Sequence, residues 1–429
     1  MRPGLIEFAQ TFAALGLLLG AAKCVGRLFA HFHQPRVIGE IIGGLLLGPT
    51  LFSSMFPVIS RMLFPETGLV PGVVSAVSQV GLILLMFTSG TELRSFLQRG
   101  ERKIIAVLTI TGTVLPFIAG VLFVLSINMD QHTGTARNRT AFILVFACSI
   151  AVTSIPVISR IMMDLKILHT AFARVVLTTA VFEDIVLYVV LAVALGLVRG
   201  QAPEATNLGA FLGSGISTSL SPSLYLIITF LFIAAVVIVS PPLLRRLLRL
   251  RFLKSQRVNS ILVQLLFLFV VVGVSMLLGV TPVFGAFAAG IVAGRIRDQS
   301  DIDAREGIKR VSLAFFIPIY FATVGFRLDL LQNLSLSFLV FFLLFACLIK
   351  GLSIYTGARA AGTPHAGALN LAVALNARGG PGIVVASLAF DAGIVSRGFF
   401  AILVLVAVAT SLIAGSWLGR VARSGRSFL

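Results

Sequence analysis

The chain has 429 residues, of which 58% are hydrophobic and only 12% are charged, and its mean hydropathy is +1.04. Soluble domains contain roughly 45–50% apolar and about 25% charged residues, so this composition excludes a soluble enzyme. Recurring apolar runs of membrane-spanning length exclude a disordered chain. The three cysteines lie in or beside apolar segments and have neither a disulfide pattern nor metal-ligand spacing.

Hydrophobic runs predict an all-α polytopic membrane protein with about thirteen transmembrane helices. Roughly 20 residues cross a bilayer, and polar or Pro/Gly-containing breaks separate the runs. No loop is long enough for a soluble regulatory domain, so we expect a single membrane transporter unit over 1–429. The predicted segments are 5–22, 37–56, 72–92, 104–127, 140–162, 169–198, 222–244, 258–279, 281–294, 308–326, 336–358, 364–392 and 398–419.

The distribution of basic residues predicts the orientation of the chain. The loops after odd-numbered segments, with the C-terminus, hold 25 of the 34 Lys and Arg residues, whereas the other side holds seven. The positive-inside rule then places the N-terminus outside and the C-terminus in the cytoplasm, in the cell membrane. We interpret the basic residues between 245 and 257, and the net charge of +18, as an anchor at the lipid bilayer rather than a nucleic-acid site.

Two glycine motifs predict an internal repeat. The second and ninth segments share one spacing, at Gly39, Gly44 and Gly48 and at Gly285, Gly290 and Gly294. The third and tenth segments end in similar motifs around Gly90 and Gly325. We therefore predict that a five-helix repeat over about 37–198 recurs over about 281–420, with linking helices at about 222–279. Seven segments separate the copies, so the second copy is inverted, as in secondary transporters. Chance recurrence of small residues is the alternative.

The fourth helix of each predicted repeat contains a break in mid-membrane. Proline removes a backbone donor, and paired glycines lower the cost of unwinding. Unwound backbone at membrane depth lines a cavity or is buried in protein, so two crossed broken helices indicate a transport site. A plain proline kink is the alternative for the fifth segment. The residues that mark the breaks are Thr153, Ser154 and Pro156 in the fifth segment, and Asn376, Arg378, Gly379, Gly380 and Pro381 in the twelfth.

Two adjacent acids, Glu183 and Asp184, lie in the middle of the sixth segment. A charge at the bilayer centre costs about 2.5–3.5 kcal/mol on insertion scales, which indicates a function. Two basic residues are also placed in mid-membrane. Lys350 is a candidate ion-pair partner, and we favour Arg378 as a charge that compensates helix C-terminal dipoles over a direct ion contact. The alternative is that both bases only neutralise the acids for stability.

These residue types predict exchange of a cation for protons. A carboxylate binds a hard monovalent cation or a proton, so a cavity that opens to each side in turn would couple the two. Asp184 and Glu183 are the expected cation- and proton-binding carboxylates, and the oxygens of Thr153 and Ser154 suit dehydrated Na⁺ or K⁺. We expect no cofactor and no metal beyond the transported ion.

Several motifs taken in series resemble the cation:proton antiporter superfamily, most closely its Kef-type branch and the bacterial sodium/proton antiporters. These motifs are Gln34-Pro35-Arg36-Val37-Ile38-Gly39-Glu40-Ile41, Gly81 to Phe87, Phe182-Glu183-Asp184-Ile185, Phe316-Ile317-Pro318 to Leu328, and Asn376-Ala377-Arg378-Gly379. The resemblance implies thirteen helices, a core domain with two crossed broken helices, and a homodimer. It also implies that Asp184 is the essential ion-binding aspartate and that Lys350 pairs with Glu183, a position usually occupied by Asp, Asn or Gln.

Two other functions remain as alternatives, and a third is disfavoured. A cation channel and a proton-coupled transporter of an organic solute would fit the same fold. An intramembrane protease is disfavoured because the sequence has no HExxH motif and no second aspartate in mid-membrane.

Overall fold

The computed structural model describes residues 4–32, 34–92, 101–127, 129–167, 170–199, 222–248, 257–278, 280–296, 298–330, 334–425 and 427–429. Within these ranges, the regular structure is helical, and one isolated antiparallel bridge joins Thr133 to Val395. The prediction of an all-helical membrane protein is confirmed.

The described residues form eighteen α-helices. In the first half of the chain they are α1 (Leu5–His31), α2 (Arg36–Leu47), α3 (Phe52–Met55), α4 (Pro57–Leu63), α5 (Leu69–Glu92), α6 (Arg102–Ser126), α7 (Arg139–Ala151), α8 (Ile155–Asp164) and α9 (Ala171–Arg199). In the second half they are α10 (Pro222–Leu248), α11 (Arg257–Leu277), α12 (Pro282–Gly294), α13 (Gln299–Val311), α14 (Ile317–Phe326), α15 (Leu336–Ala360), α16 (His365–Ala374), α17 (Gly379–Asp391) and α18 (Arg397–Arg423). A short 3₁₀ helix covers Asp130–His132, and a π-helical turn at Ser312–Phe316 joins α13 to α14.

Each predicted hydrophobic segment coincides with an apolar helical stretch. Among the described residues, ten stretches are long and apolar enough to cross a membrane, and three shorter apolar helices lie at the fifth, seventh and ninth predicted segments. The total of thirteen membrane crossings remains a prediction.

Three segment boundaries differ from those predicted more than any others do. Helix α1 continues to His31, so Lys23 and Arg27 lie within it; long basic side chains allow this because their charged ends reach the membrane surface. Helix α2 ends at Leu47 instead of 56, because Pro49 lacks an amide donor and disfavours the helical conformation at Gly48. The tenth segment begins at Gln299, since the polar turns of α13 are not detected by hydropathy.

The chain divides into two compact units. The first unit consists of Met1–Pro71, Gln98–Leu195 and Phe321–Leu429, and it contains both broken helices. The second unit consists of Gly72–Leu97 and Gly196–Tyr320. The candidate site lies entirely in the first unit.

Connections between helices within the first unit fall into two separate sets. The loop before α7 is bonded to the turn after α17, where the Gly134 amide donates to the Ile394 carbonyl at 3.0 Å. The same turn is joined to the loop after α14 through Arg327 and Asp391, 2.9 Å apart. In the other set, Arg174 at the start of α9 pairs with Glu101 before α6, 2.8 Å away. The first set joins loops after even-numbered segments, and the second joins loops after odd-numbered segments. This is the sorting expected if each predicted segment crosses the membrane once, because successive loops then lie on opposite sides.

The two glycine motifs make corresponding contacts. In the first unit, a Cβ on Gly44 would overlap the Ala322 carbonyl, three residues before Gly325. In the second unit, a Cβ on Gly290 would overlap the Phe87 carbonyl, three residues before Gly90. The middle glycine of each three-glycine motif therefore packs against the helical turn that precedes Gly325 or Gly90. Only a residue without a side chain fits at these two positions.

The outer glycines of the two motifs also correspond. Gly39 lies against Val25 and Gly26 of the preceding long helix, and Gly285 lies against Ser275 of α11, the long helix before it. A Cβ on Gly48 would lie 2.5 Å from the Phe326 carbonyl oxygen, and one on Gly294 would lie 2.8 Å from that of Thr91. Phe326 and Thr91 are the residues immediately after Gly325 and Gly90. The three glycines of one motif therefore make contacts that correspond to those of the three glycines of the other motif.

Three of the six basic residues of the predicted anchor lie outside the described residues. Arg249, Arg251 and Lys254 fall in the undescribed range 249–256. Their cytoplasmic position remains a prediction from the charge distribution.

Candidate functional site

The structure contains both predicted helix breaks. Helix α7 ends at Ala151 and α8 begins at Ile155, while α16 ends at Ala374 and α17 begins at Gly379. Pro156 and Pro381 occupy the first turns of α8 and α17, where the missing amide donor of proline costs no helical hydrogen bond. The prolines thus begin the second half-helices, and the unwound residues precede them.

The two breaks cross and are hydrogen-bonded to each other. The Thr153 hydroxyl donates to the Leu375 carbonyl at 2.5 Å, and the Ser154 amide donates to the Ala377 carbonyl at 2.7 Å. A Cβ on Gly379 would overlap the side chain of Val157 and lie 2.8 Å from the Ser154 hydroxyl oxygen. Gly379 is therefore required for this close approach, and each break satisfies backbone groups of the other.

Arg378 and Lys350 bind the carboxyl end of α7. The Arg378 guanidinium donates to the carbonyls of Ser149 and Ile150, each at 3.1 Å, and to that of Ala346 at 2.8 Å. The Lys350 ammonium donates to the next carbonyl, that of Ala151, at 2.6 Å. A helix ends with unpaired carbonyls and a partial negative charge, so two cations at this end compensate both.

Lys350 also forms an ion pair with Glu183 of α9. The ammonium nitrogen lies 2.8 Å from Glu183 Oε1, and both side chains are fully buried. Its third hydrogen bond goes to the Gly112 carbonyl of α6, 2.7 Å away. All three ammonium donors are therefore used. A Cβ on Gly112 would overlap Glu183 Oε1, so this glycine leaves room for the pair.

Asp184 is buried but has no such partner. The residue is 4% exposed, and within the described part of the chain its Oδ1 atom has no hydrogen bond. The same holds for Glu183 Oε2, the carboxylate oxygen that does not contact Lys350. A buried carboxylate oxygen without a donor is energetically costly, and a bound cation or proton would remove that cost.

The remaining predicted residues have distinct positions. Thr153 and Ser154 are fully buried at the crossing. Ser154 Oγ accepts the Val157 amide at 3.4 Å and so caps α8. Asn376 donates from Nδ2 to the Cys347 carbonyl at 3.1 Å, whereas its buried Oδ1 has no partner in the described residues. Gly380 is buried in the first turn of α17.

Two features near the site are not among the residues predicted from the sequence. The first is Gly112, although a glycine in the middle of an apolar helix opposite a buried acid is a usable signal. The second is Thr179; it lies four residues before Glu183, on the same side of α9, and its buried hydroxyl has no partner among the described residues. Hydroxyl residues in membrane helices are common, so the sequence gives no reason to choose this one.

The model of the family described as "Sodium/hydrogen exchanger, transmembrane" matches residues 14–424. The chain belongs to this family. The predicted superfamily resemblance is thereby confirmed, and the protein is an integral membrane protein of a transporter family.

Two relatives illustrate the similarity in sequence. The Na⁺/H⁺ antiporter NhaS4 of Synechocystis sp. is 29% identical over 409 residues, which cover 92% of this chain and 93% of NhaS4. The K⁺/H⁺ antiporter 1 of Saccharomyces cerevisiae is 28% identical over 408 residues, which cover 92% of this chain but only 44% of the yeast protein. The chain thus spans almost all of the first relative and less than half of the second.

A solved structure shows the same fold. The sodium proton antiporter MjNhaP1 of Methanocaldococcus jannaschii superimposes with a TM-score of 0.67, covering 97% of this chain and 99% of MjNhaP1. The sequence identity is 18%, so this likeness concerns the fold. The predicted sodium/proton antiporter-like fold is confirmed.

Proposed function

We propose that the protein exchanges a monovalent cation, Na⁺ or K⁺, for protons across the membrane by alternating access. The observation that carries this proposal is the buried Asp184 carboxylate, whose Oδ1 has no donor in the described residues, in the unit that contains the crossed helix breaks. A carboxylate in this setting binds either a cation or a proton, so the two ions compete for it. The names of the relatives, Na⁺/H⁺ and K⁺/H⁺ antiporters, support both candidate cations.

We assign separate roles to the site residues. Asp184 is the carboxylate that alternates between cation and proton, and Glu183 is held by Lys350 beside it. The Thr153 hydroxyl donates its hydrogen bond to the Leu375 carbonyl, so the lone pairs of the hydroxyl oxygen are available to a cation. Arg378 stabilises the carboxyl end of α7 and acts by position rather than by contact with the ion.

The Glu183–Lys350 pair bears on the stoichiometry. If Lys350 releases a proton when the cation binds, two protons move per cation and transport carries net charge. If the pair persists through the cycle, exchange is one-for-one and electroneutral. We favour electrogenic exchange because an acid at 183 and a lysine at 350 are present together, and a rate indifferent to an imposed membrane potential would contradict it.

We further propose a homodimer in the cell membrane, with the N-terminus outside and the C-terminus in the cytoplasm. The excess of basic residues in loops after odd-numbered segments supports this orientation. The corresponding contacts of Gly44 and Gly290 support the inverted repeat. The matching contacts of Gly39 and Gly285 extend the correspondence to α1 and α11, one helix beyond the five predicted.

Proton flux in proteoliposomes tests this function. Vesicles containing the purified protein and a pH-sensitive dye would receive Na⁺, K⁺, Li⁺ or the bulky cation choline. We expect Na⁺ or K⁺ to drive proton movement in the opposite direction, with choline as the inactive control. Cation flux without proton movement would indicate a channel, and proton movement that requires none of these cations would exclude the proposed exchange.

A further inference from the structure

A cavity of about 850 Å³ lies in the first unit, between the loop that precedes α7 and the turn that follows α17. Backbone hydrogen bonds fix both walls. The Ala136 amide donates to the Gly393 carbonyl at 2.9 Å, and the Ser396 amide donates to the His132 carbonyl at 2.8 Å. The cavity therefore adjoins the ends of α7 and α17, which are halves of the two broken helices, and lies outside the site described above.

Three arginines line this cavity, Arg137, Arg139 and Arg397. In the part of the chain that the structure describes, none of their guanidinium groups has a hydrogen bond or an ion pair. Asp130 is the one carboxylate among the described lining residues, so the arginines leave an excess of positive charge. Arg327, which lies nearby in the fold, differs from these three arginines because its guanidinium forms an ion pair with Asp391.

Two of these arginines occupy positions that do not stabilise the helices in which they lie. Arg139 is the first residue of α7, and Arg397 is the first residue of α18. The N-terminus of a helix carries a partial positive charge, so a cation there is unfavourable and an anion is favoured. The predicted outer side of the membrane has only seven basic residues, and three of them gather at this one cavity.

We infer that the cavity binds a phosphate-type oxyanion. Guanidinium groups match the oxygens of a phosphate in bidentate hydrogen bonds, and the start of a helix supplies further favourable charge. The volume exceeds that of a bare phosphate and suits a phosphoryl group that carries an organic part. That group is supplied by a free phosphate compound or by the headgroup of an anionic phospholipid, two sources with the same chemistry.

Binding measurements on the full chain test this inference without any transport assay. We would measure binding of radiolabelled inorganic phosphate to protein in a neutral detergent. Retention of phosphatidylglycerol relative to phosphatidylcholine would be measured by native mass spectrometry. The variant combines Arg137→Gln, Arg139→Gln and Arg397→Gln; because all three side chains are exposed, we expect it to fold. Arg61→Gln is the matched control, an exposed arginine on the same predicted side that does not line the cavity.

We expect the wild-type protein and the Arg61→Gln control to bind at least one probe saturably. The triple variant should bind that probe at least about tenfold more weakly, because several charge-assisted contacts are removed. Loss confined to phosphatidylglycerol would identify a lipid headgroup as the ligand, and loss of inorganic phosphate binding would identify a free phosphate site. Equal binding by the triple variant and the wild type, or no binding of either probe by the wild type, would overturn the inference. Gel filtration and thermal unfolding in phosphate-free buffer would show that the variant is folded.

Discussion

At the scale of single residues, Lys350 is expected to matter for stability as well as for ion coupling. Removing its side chain in Lys350→Ala leaves Glu183 buried without its partner and frees the carbonyls of Gly112 and Ala151. Breaking a buried pair in this way costs about 3–5 kcal/mol. We predict a marked loss of thermal stability in detergent, and partial recovery when Lys350→Met is combined with Glu183→Gln, because no uncompensated charge then remains.

The pair Arg327–Asp391 is the matched control for this prediction. Its two atoms are separated by 2.9 Å, almost the same distance as in the buried pair, but the side chains are 36% and 40% exposed. Exposed pairs contribute about 0–1 kcal/mol, so Arg327→Ala should change stability little. Equal losses in Lys350→Ala and Arg327→Ala would contradict the view that burial determines the cost.

The burial of His132 predicts that the stability of the protein depends on pH. The ring stacks on Phe338 with centroids 4.1 Å apart, and burial lowers the pKa of its imidazole below the ordinary 6.5. The folded protein then binds fewer protons at this ring than the unfolded chain, so stability falls as the pH decreases through about 6.5. We predict that His132→Phe, which retains the stacking, loses less thermal stability than wild type between about pH 7.5 and about pH 5.5. Equal losses in the two proteins would contradict this role.

At the scale of helices, the breaks could be predicted from the sequence, but their partners could not. Proline, paired glycines and the polar residues of 376–378 indicate unwinding because each weakens a helix locally. The sequence does not show that Arg378 reaches Ser149 and Ile150 or that Thr153 bonds Leu375, since these contacts join residues more than 200 positions apart. Such contacts depend on how the helices pack, which hydropathy does not encode.

The glycine motifs give a prediction about helix packing. A methyl group on Gly44 or Gly290 would overlap the backbone of the neighbouring helix, and backbone cannot move aside as a flexible side chain can. We predict that Gly44→Ala and Gly290→Ala each lower the free energy of unfolding by about 1–3 kcal/mol, as overpacking does. Thermal unfolding in detergent and the yield of monodisperse protein would measure this.

Gly273 of α11 is the control for these substitutions, because a Cβ there meets nothing within 4 Å. Alanine favours helix over glycine by about 0.5–1 kcal/mol, so Gly273→Ala should be neutral or stabilising. If Gly44→Ala and Gly290→Ala behaved like Gly273→Ala, the close approach of the helices would be wrong.

At the scale of the whole molecule, the fold class and the order of the helices could be predicted because long apolar runs leave few alternatives in a bilayer. Helix ends could be predicted less well. The polar turns of α13 and the basic residues near the end of α1 lie in helices that continue beyond the apolar region. The division into two units has no signal in hydropathy, since it depends on contacts between helices far apart in the chain.

The orientation of the molecule yields a labelling experiment. Gln131 and Ser424 are exposed and belong to opposite predicted sides. In intact cells, a cysteine replacing Gln131 should react with a membrane-impermeant thiol reagent, whereas one replacing Ser424 should react only after lysis. Gln256→Cys, in the basic segment, should behave like Ser424→Cys. The reverse pattern would invert the proposed topology.

The central claim is that the Asp184 carboxylate carries the exchanged ions, and cation-driven proton flux of Asp184→Asn in proteoliposomes tests it most directly. The amide has almost the same size but cannot hold a proton and a cation in turn, so we predict that exchange is abolished while the protein remains folded and inserted. Asp391→Asn, which changes an exposed carboxylate of the same unit, should retain exchange. Normal exchange by correctly inserted Asp184→Asn would contradict the account.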